Sequence, residues 1–309
     1  MMPVICLMGP TATGKSDLAV QLAERFAFEI ISVDSAMVYR GMDIGTAKPD
    51  PNILAKIPHY LIDICEPNET YSAGRFCKDA VSAISQIEKN HHIPLLTGGT
   101  MLYFRALQQG LSELPIADPE IRNKINLEAE KYGWDKLYEK LNNIDPVTAK
   151  RLHSNDTQRI QRALEVYEIT HIPLSQWHGH QKPYLKNAQI INIGLVSDED
   201  KRVKLKIRIA ERFHQMLERG LIEEVKKLWM YKDFPALRSV GYRQVCEYLD
   251  GKYDKNMMTE KAIIATSQLA KRQMTWLRSF VDVNYFDCES ATVFEEVSQF
   301  LRSQNILVD

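Results

Sequence analysis

Apolar residues in the first hundred positions fall into short runs separated by polar stretches with helical spacing. "VICLM" (4–8), "FEIISVD" (28–34), "HYLIDI" (59–64) and "HIPLLTGGT" (92–100) each have the length of a buried strand. Between them, "KSDLAVQLAERF" repeats Leu18, Leu22 and Phe26 at helical intervals, and "AGRFCKDAVSAISQIEKN" and "MLYFRALQQG" read as further helices. Short strands alternating with helices predict an α/β fold, a parallel sheet wrapped by helices.

The pattern changes after "LPIADPEIR". From Asp118 to Tyr184 the signals are helical only: "PEIRNKINLEAEKYG", "WDKLYEKLNNI", "DPVTAKRLH" and "SNDTQRIQRALEVYEIT". Asp118 ahead of Pro119, and the run Ser154 to Asp156, are N-cap chemistry. "AQIINIGLVSD" then returns as a strand. Lys201 to Met230 reads as one long amphipathic stretch, "GYRQVCEYLDG" and "KAIIATSQLAKRQMTWLRSF" as helices, "VNYF" as a last strand and "FEEVSQFLRS" as a terminal helix. The expected organisation is a core of residues 1–117 and 188–309 interrupted by an all-helical insertion, 118–187.

The junction of the first strand and helix carries the clearest chemistry. Gly9, Pro10, Thr11, Ala12, Thr13, Gly14, Lys15 and Ser16 spell the phosphate-loop pattern G-x-x-x-x-G-K-S. Its glycines let backbone N–H groups form a nest around a phosphate, and the helix N-terminus adds partial positive charge. Lys15 supplies a full charge, and the Ser16 hydroxyl is placed to ligate Mg²⁺. The pattern does not say whose phosphate is held. Asp34 ends the second strand and Thr100 follows the fourth, so both are expected at the ligand-binding rim of a parallel sheet; spacing alone also allows a plain turn aspartate and a simple strand-to-helix turn.

Composition is ordinarily globular, with 45% hydrophobic and 26% charged residues among 309, and the net charge of −1 gives no global attraction to polyanions. Local clusters differ: residues 201–243 hold 12 Lys and Arg against 5 Asp and Glu, and "KRLHSNDTQRIQR" and "KRQMTWLR" add more. Each such run is either a solvated helix face or part of an RNA surface, and Tyr242 and Trp276 beside arginines suit base stacking. Five scattered cysteines without C-x-x-C argue against zinc or disulfides, the histidines lack a metal-ligand pattern so that "WHGH" (His178, His180) reads as a loop, and the absence of a leader or membrane-length run predicts a soluble, cytoplasmic chain. Three functions remain open from the residues: a small-molecule or nucleotide kinase, a transferase whose donor carries the phosphate, and a nucleotide-regulated RNA-binding protein.

"GPTATGKS", "DSAMVYRGMDIGTAKP", "GGTMLYF", "NDTQRIQRALEVY", "GYRQ" and "LAKRQMTWLR" occur in the order found in bacterial tRNA dimethylallyltransferases, which the chain resembles from about Val4 to Arg278. The resemblance implies a fold like that of P-loop kinases and transfer of a dimethylallyl group from its diphosphate to the exocyclic N6 amine of adenosine-37 in tRNA. It implies Mg²⁺ as cofactor, the diphosphate in the glycine loop, Asp34 as the base that aims the amine, and Thr100 beside the reacting centre. Arg212 of "ERFHQML" would contact the diphosphate, with Arg208 as the rival one turn earlier. Contacts to the tRNA anticodon stem-loop would come from Asp34, Ser35, Ala36, Met37, Thr100 and Arg122, and from the run Gln158, Arg159, Ile160, Gln161 and Arg162, with Ile160 expected to pack inward. Gly241, Tyr242, Arg243 and Gln244 and the "KRQMTWLR" helix would add to them. The chain is expected to be a monomer without membrane attachment, and the resemblance implies a bacterial type, since no zinc finger precedes the end at Asp309.

Overall fold

The computed structural model describes residues 3–112, 114–177, 182–186, 188–197 and 202–307; His178 and His180 lie outside them. The described residues divide into two compact units, residues 109–183 and the remainder on either side.

The larger unit is built on six parallel strands in the order β3-β2-β4-β1-β5-β6. In chain order its elements begin with β1 (Pro3–Met8), α1 (Lys15–Arg25), β2 (Phe28–Val33), α2 (Pro51–Lys56), β3 (His59–Tyr60), α3 (Ala73–Lys89), β4 (Ile93–Gly98) and α4 (Met101–Gln109). After the insertion come β5 (Gln189–Val196), α9 (Arg202–Glu218), α10 (Leu221–Lys227), α11 (Tyr242–Leu249), α12 (Lys255–Leu277), β6 (Val283–Asp287) and α13 (Val293–Ser303), α5–α8 being the insertion's helices. Strand residues alternate between two buried faces, so the centre of β1 is apolar throughout and that of β5 is apolar except for the buried Asn192, which accepts from Gln108 at 2.8 Å. Ile5, Leu7, Ile30, Leu95, Ile193 and Leu195 pack with Leu18 and Leu22 of α1 and Val297 and Leu301 of α13.

Register decides what meets at the rim. Met8 of β1 and Val33 of β2 both pair with Gly98 of β4. One step beyond that row stand Gly9, Asp34 and Gly99, so the phosphate loop, the aspartate and the Thr100 turn emerge side by side. Gly98 has to be glycine: a Cβ there would come within 2.1 Å of the Val33 carbonyl oxygen.

The expected strands and helices form, with local departures. "HYLIDI" contributes only two residues to β3, because Leu61 and Asp63 turn to positive φ and Asp63 leaves the sheet to pair with Lys48. The stretch from Lys201 breaks at Gly220, φ 98°, which separates α9 from α10. Helix α2, capped by Asp50 accepting from the Asn52 N–H, was not anticipated.

The smaller unit holds α5 (Pro119–Tyr132), α6 (Trp134–Ile144), α7 (Pro146–Ala149) and α8 (Thr157–Thr170) around Ile125, Leu137, Leu141, Ile160 and Leu164. Asp118 caps α5 as its sequence implies, but Asp156 at the start of α8 pairs with Arg159 instead of capping the backbone. Its bounds fall at 109 and 183 rather than 118 and 187. The lead-in is tied to α8, with Arg162 donating to the Pro115 carbonyl, while the Tyr184 N–H bonds to the Leu107 carbonyl of the larger unit.

Candidate active site

The loop between β1 and α1 has the backbone its sequence requires. Ala12 and Gly14 take positive φ, 64° and 75°, which turns successive N–H groups inward as in an anion nest. Gly9 lies against β5, where a Cβ would come within 2.4 Å of the Leu195 carbonyl oxygen. The Lys15 ammonium is held inside the loop, donating to the Pro10 carbonyl and, at 3.3 Å, to the Thr13 hydroxyl. Burial first and Arg212 second bring the Lys15 pKa down to about 7, with Asp34 opposing both. Burial also lowers the Arg212 pKa against the pull of Asp34 and Asp17. Lys15, Arg212 and Asp34 therefore share one electrostatic environment. The rival arginine, Arg208, pairs instead with Glu289 at 2.7 Å and donates to Cys288.

Asp34 and Thr100 stand together at the same rim. Asp34 Oδ1 accepts from the N–H groups of Ala36 (2.8 Å) and Met37 (3.3 Å), which folds the chain back as a turn aspartate does. Thr100 Oγ1 accepts from the Ser35 N–H at 3.1 Å, and the Thr100 N–H donates to the Val33 carbonyl. Asp34, Ser35 and Thr100 are thus one hydrogen-bonded corner beside the phosphate loop.

The loop that follows, residues 34–50, is held by residues the sequence did not single out. Glu224 of α10 accepts from the N–H groups of Asp43 (3.1 Å), Ile44 (2.7 Å) and Gly45 (3.1 Å) and from the Tyr242 hydroxyl (2.6 Å). Lys48, buried, donates to the Tyr39 carbonyl, Asp43 and Asp63. Of the expected RNA contacts in "GYRQ", Gly241, Tyr242 and Gln244 are packed inward in this structure. The Tyr242 ring is fully buried and its phenol pKa is pushed up by burial and by Glu224, while Gln244 turns back to accept from the buried Gly241 N–H. Of the four only Arg243 is exposed. Gln273 on α12 lies inside the basic run "KRQMTWLR". Its neighbours at helical spacing, Ala270 and Leu277, are buried and mark a packed stripe, which was the available signal.

In the helical unit, Glu165 is wholly buried and collects Arg122 at 2.8 and 3.2 Å, Arg162 at 2.6 Å and the Asp118 N–H. The two arginines are fixed partners, half-buried on a carboxylate. Gln158 and Arg159 are exposed, and Gln161 donates to Asn126. Ile160 is a core residue and cannot present a side chain to RNA. Trp276 carries Arg105 over its ring at 4.8 Å. An open groove of about 570 Å³ between α9 and α12, lined by His214, Glu218, Lys255 and Glu260 among others, lacks this chemistry.

The loop offers one hydroxyl through which a divalent cation bound with a phosphate could be held. The Ser16 hydroxyl is exposed on the first turn of α1, next to Lys15. Among the described residues no group of three or more His, Cys, Asp or Glu forms a separate metal cage, and no helix is long and apolar enough to cross a membrane.

The chain is similar to known proteins over nearly its whole length. The model of the family described as IPP transferase matches residues 37–280. A tRNA dimethylallyltransferase of Coxiella burnetii is 52% identical over 303 residues, covering 97% of both chains. One of Thioalkalivibrio sulfidiphilus is 54% identical over 291 residues, covering 93% of this chain and 90% of its own. Among solved structures, the tRNA isopentenylpyrophosphate transferase of Bacillus halodurans is 34% identical with a TM-score of 0.72, covering 98% and 97% of the two chains. A eukaryotic dimethylallyltransferase captured acting on tRNA is 27% identical with a TM-score of 0.81, covering all of this chain and 81% of its own.

Proposed function

The chain belongs to the IPP transferase family, and we propose that it moves the dimethylallyl group of dimethylallyl diphosphate to the N6 amine of adenosine-37 in tRNA, releasing diphosphate. One observation carries the reading: the phosphate loop with Lys15 and the Asp34–Thr100 corner occupy one rim of one sheet, and the half-buried Arg212 of α9 is electrostatically coupled to both Lys15 and Asp34.

The loop N–H groups, Lys15 and Arg212 bind the donor diphosphate. As the allylic C–O bond breaks, negative charge grows on that leaving group, and the fixed donors stabilise it at no reorganisation cost. The Ser16 hydroxyl would hold a magnesium ion, which would supply further charge neutralisation to the departing diphosphate. The adenine amine is a poor nucleophile because its lone pair is delocalised into the ring. Asp34 Oδ1 is engaged with the turn, so Oδ2 is the oxygen to accept the N6–H hydrogen bond, aim the lone pair and take the proton as the C–N bond forms. The Thr100 hydroxyl orients the amine from the other side. To reach this corner, the base leaves its stack. The helical unit grips the anticodon stem-loop through Gln158, Arg159 and the Arg122–Arg162 pair held on Glu165.

The test is direct. Unmodified tRNA, Mg²⁺ and dimethylallyl diphosphate labelled in the allyl group are incubated with the protein, with γ-labelled ATP in a parallel reaction. Allyl label passing to tRNA is the expected result; phosphate passing from ATP instead would make the chain a kinase.

A further inference from the structure

The middle of α12 sends one side chain into the rim just described. The Thr11 N–H, inside the phosphate loop, donates to Gln273 Oε1 at 2.9 Å, and Gln273 Nε2 donates to the Gly99 carbonyl at 2.9 Å. The amide lies so close over Gly99 that a Cβ there would sit 2.3 Å from Nε2. Gly99 immediately precedes Thr100, and its missing side chain makes the room. Gln273 belongs to a 23-residue helix anchored by Ala270 and Leu277, so it is a fixed strut. A neutral amide thus bridges the donor half of the site to the acceptor half.

We propose that Gln273 is a positioning residue that couples the two halves, its amide oxygen holding a nest N–H that a donor phosphate oxygen competes for. In the ligand-free protein Oε1 satisfies Thr11 and Nε2 tethers the turn carrying Thr100. An arriving diphosphate takes the Thr11 N–H, because a charged acceptor outbids an amide oxygen for the same donor. Gln273 is then left with its bond to Gly99 alone, and donor binding registers at the turn that orients the amine. The inference rests on the proposed transfer reaction for its consequence in turnover, and on the nest alone for its consequence in binding.

Removing the amide has opposite effects on the two quantities, which loss of packing alone does not produce. In Gln273→Leu, which keeps most of the bulk and the helix propensity, the competitor for Thr11 is gone. Inorganic diphosphate with Mg²⁺ then binds about 3- to 10-fold more tightly by isothermal titration, the range of one net hydrogen bond. The same variant loses the tether on Gly99, and its kcat for allyl transfer falls at saturating substrates. Gln273→Glu places a carboxylate beside the nest, and diphosphate binds more weakly than to the wild type. Thermal melts of both variants confirm folding. Unchanged or weakened diphosphate binding in folded Gln273→Leu overturns the proposal, as does a wild-type protein that does not bind diphosphate. A wild type that binds diphosphate with this pattern yet transfers no allyl group would leave the binding inference standing and remove the proposed function.

Discussion

Lys15 holds its charge at neutral pH by a narrow margin, since burial and Arg212 bring its pKa down from 10.5 to about 7. In the ligand-free protein the ammonium is lost as pH rises through that value, and the folded state gains stability between there and the ordinary lysine pKa, because only the unfolded chain then keeps the proton. A diphosphate reverses the balance by favouring the charged form. Binding above about pH 7 therefore takes up a proton, and affinity declines as pH rises, by at most about tenfold per unit. Titration calorimetry in two buffers of different ionisation enthalpy checks this. The expected Lys15-dependent uptake is large near pH 8.5 and small near pH 6, and disappears in Lys15→Arg, whose guanidinium does not deprotonate. Asp34 offers a second test at this scale. Asparagine retains Oδ1, so Asp34→Asn keeps the bonds from the Ala36 and Met37 N–H groups and hence the corner. It removes only the basic oxygen. Single-turnover transfer falls on the order of 10²–10⁴-fold with tRNA affinity retained; a rate close to wild type would take the base role from Asp34.

Among the elements, the segment 34–50 and α10–α11 behave as one piece through Glu224. Tyr242→Phe keeps the ring and removes one bond to that carboxylate, which destabilises the protein by about 1–2 kcal/mol and lowers the Tm by a few degrees. Glu224→Ala strands three backbone N–H groups and the phenol at once, so its Tm falls further and transfer slows with it; equal melting temperatures for the two variants would contradict this view of the segment. Gly45 explains a motif position: a Cβ there would lie 2.5 Å from the Tyr242 ring. None of this was legible from spacing, because the bonds join residues about 180 positions apart. Periodicity found most helices and strands, but it could not see the break at Gly220, which depends on one left-handed residue, or the early end of β3, which depends on Asp63 turning to Lys48. It also could not tell that "GYRQ" serves the core, since a tyrosine beside an arginine looks the same in a hub as on an RNA surface.

At the scale of the whole molecule, the sequence order of strands and motifs made the parallel sheet and the placing of Asp34 and Thr100 near the glycine loop readable. The insertion of β4 between β1 and β2 brings the three together, and only the paired register reveals that they are neighbours. The net charge of −1 makes RNA binding a local matter. Arg159, 67% exposed and only loosely paired with Asp156, is available to a phosphate. Arg159→Ala is expected to reduce the slope of log affinity against log salt by about one; an unchanged slope would move the contact elsewhere. The account as a whole claims that one rim joins a diphosphate cradle to an acceptor aspartate. A crystal structure of the protein with Mg²⁺, a non-hydrolysable thio analogue of dimethylallyl diphosphate and an anticodon stem-loop tests it most directly. The account predicts the diphosphate on Lys15, Arg212 and the loop N–H groups, with N6 of an extruded adenine hydrogen-bonded to Asp34. A diphosphate bound away from the loop, or an adenine amine facing any group but Asp34, would contradict it.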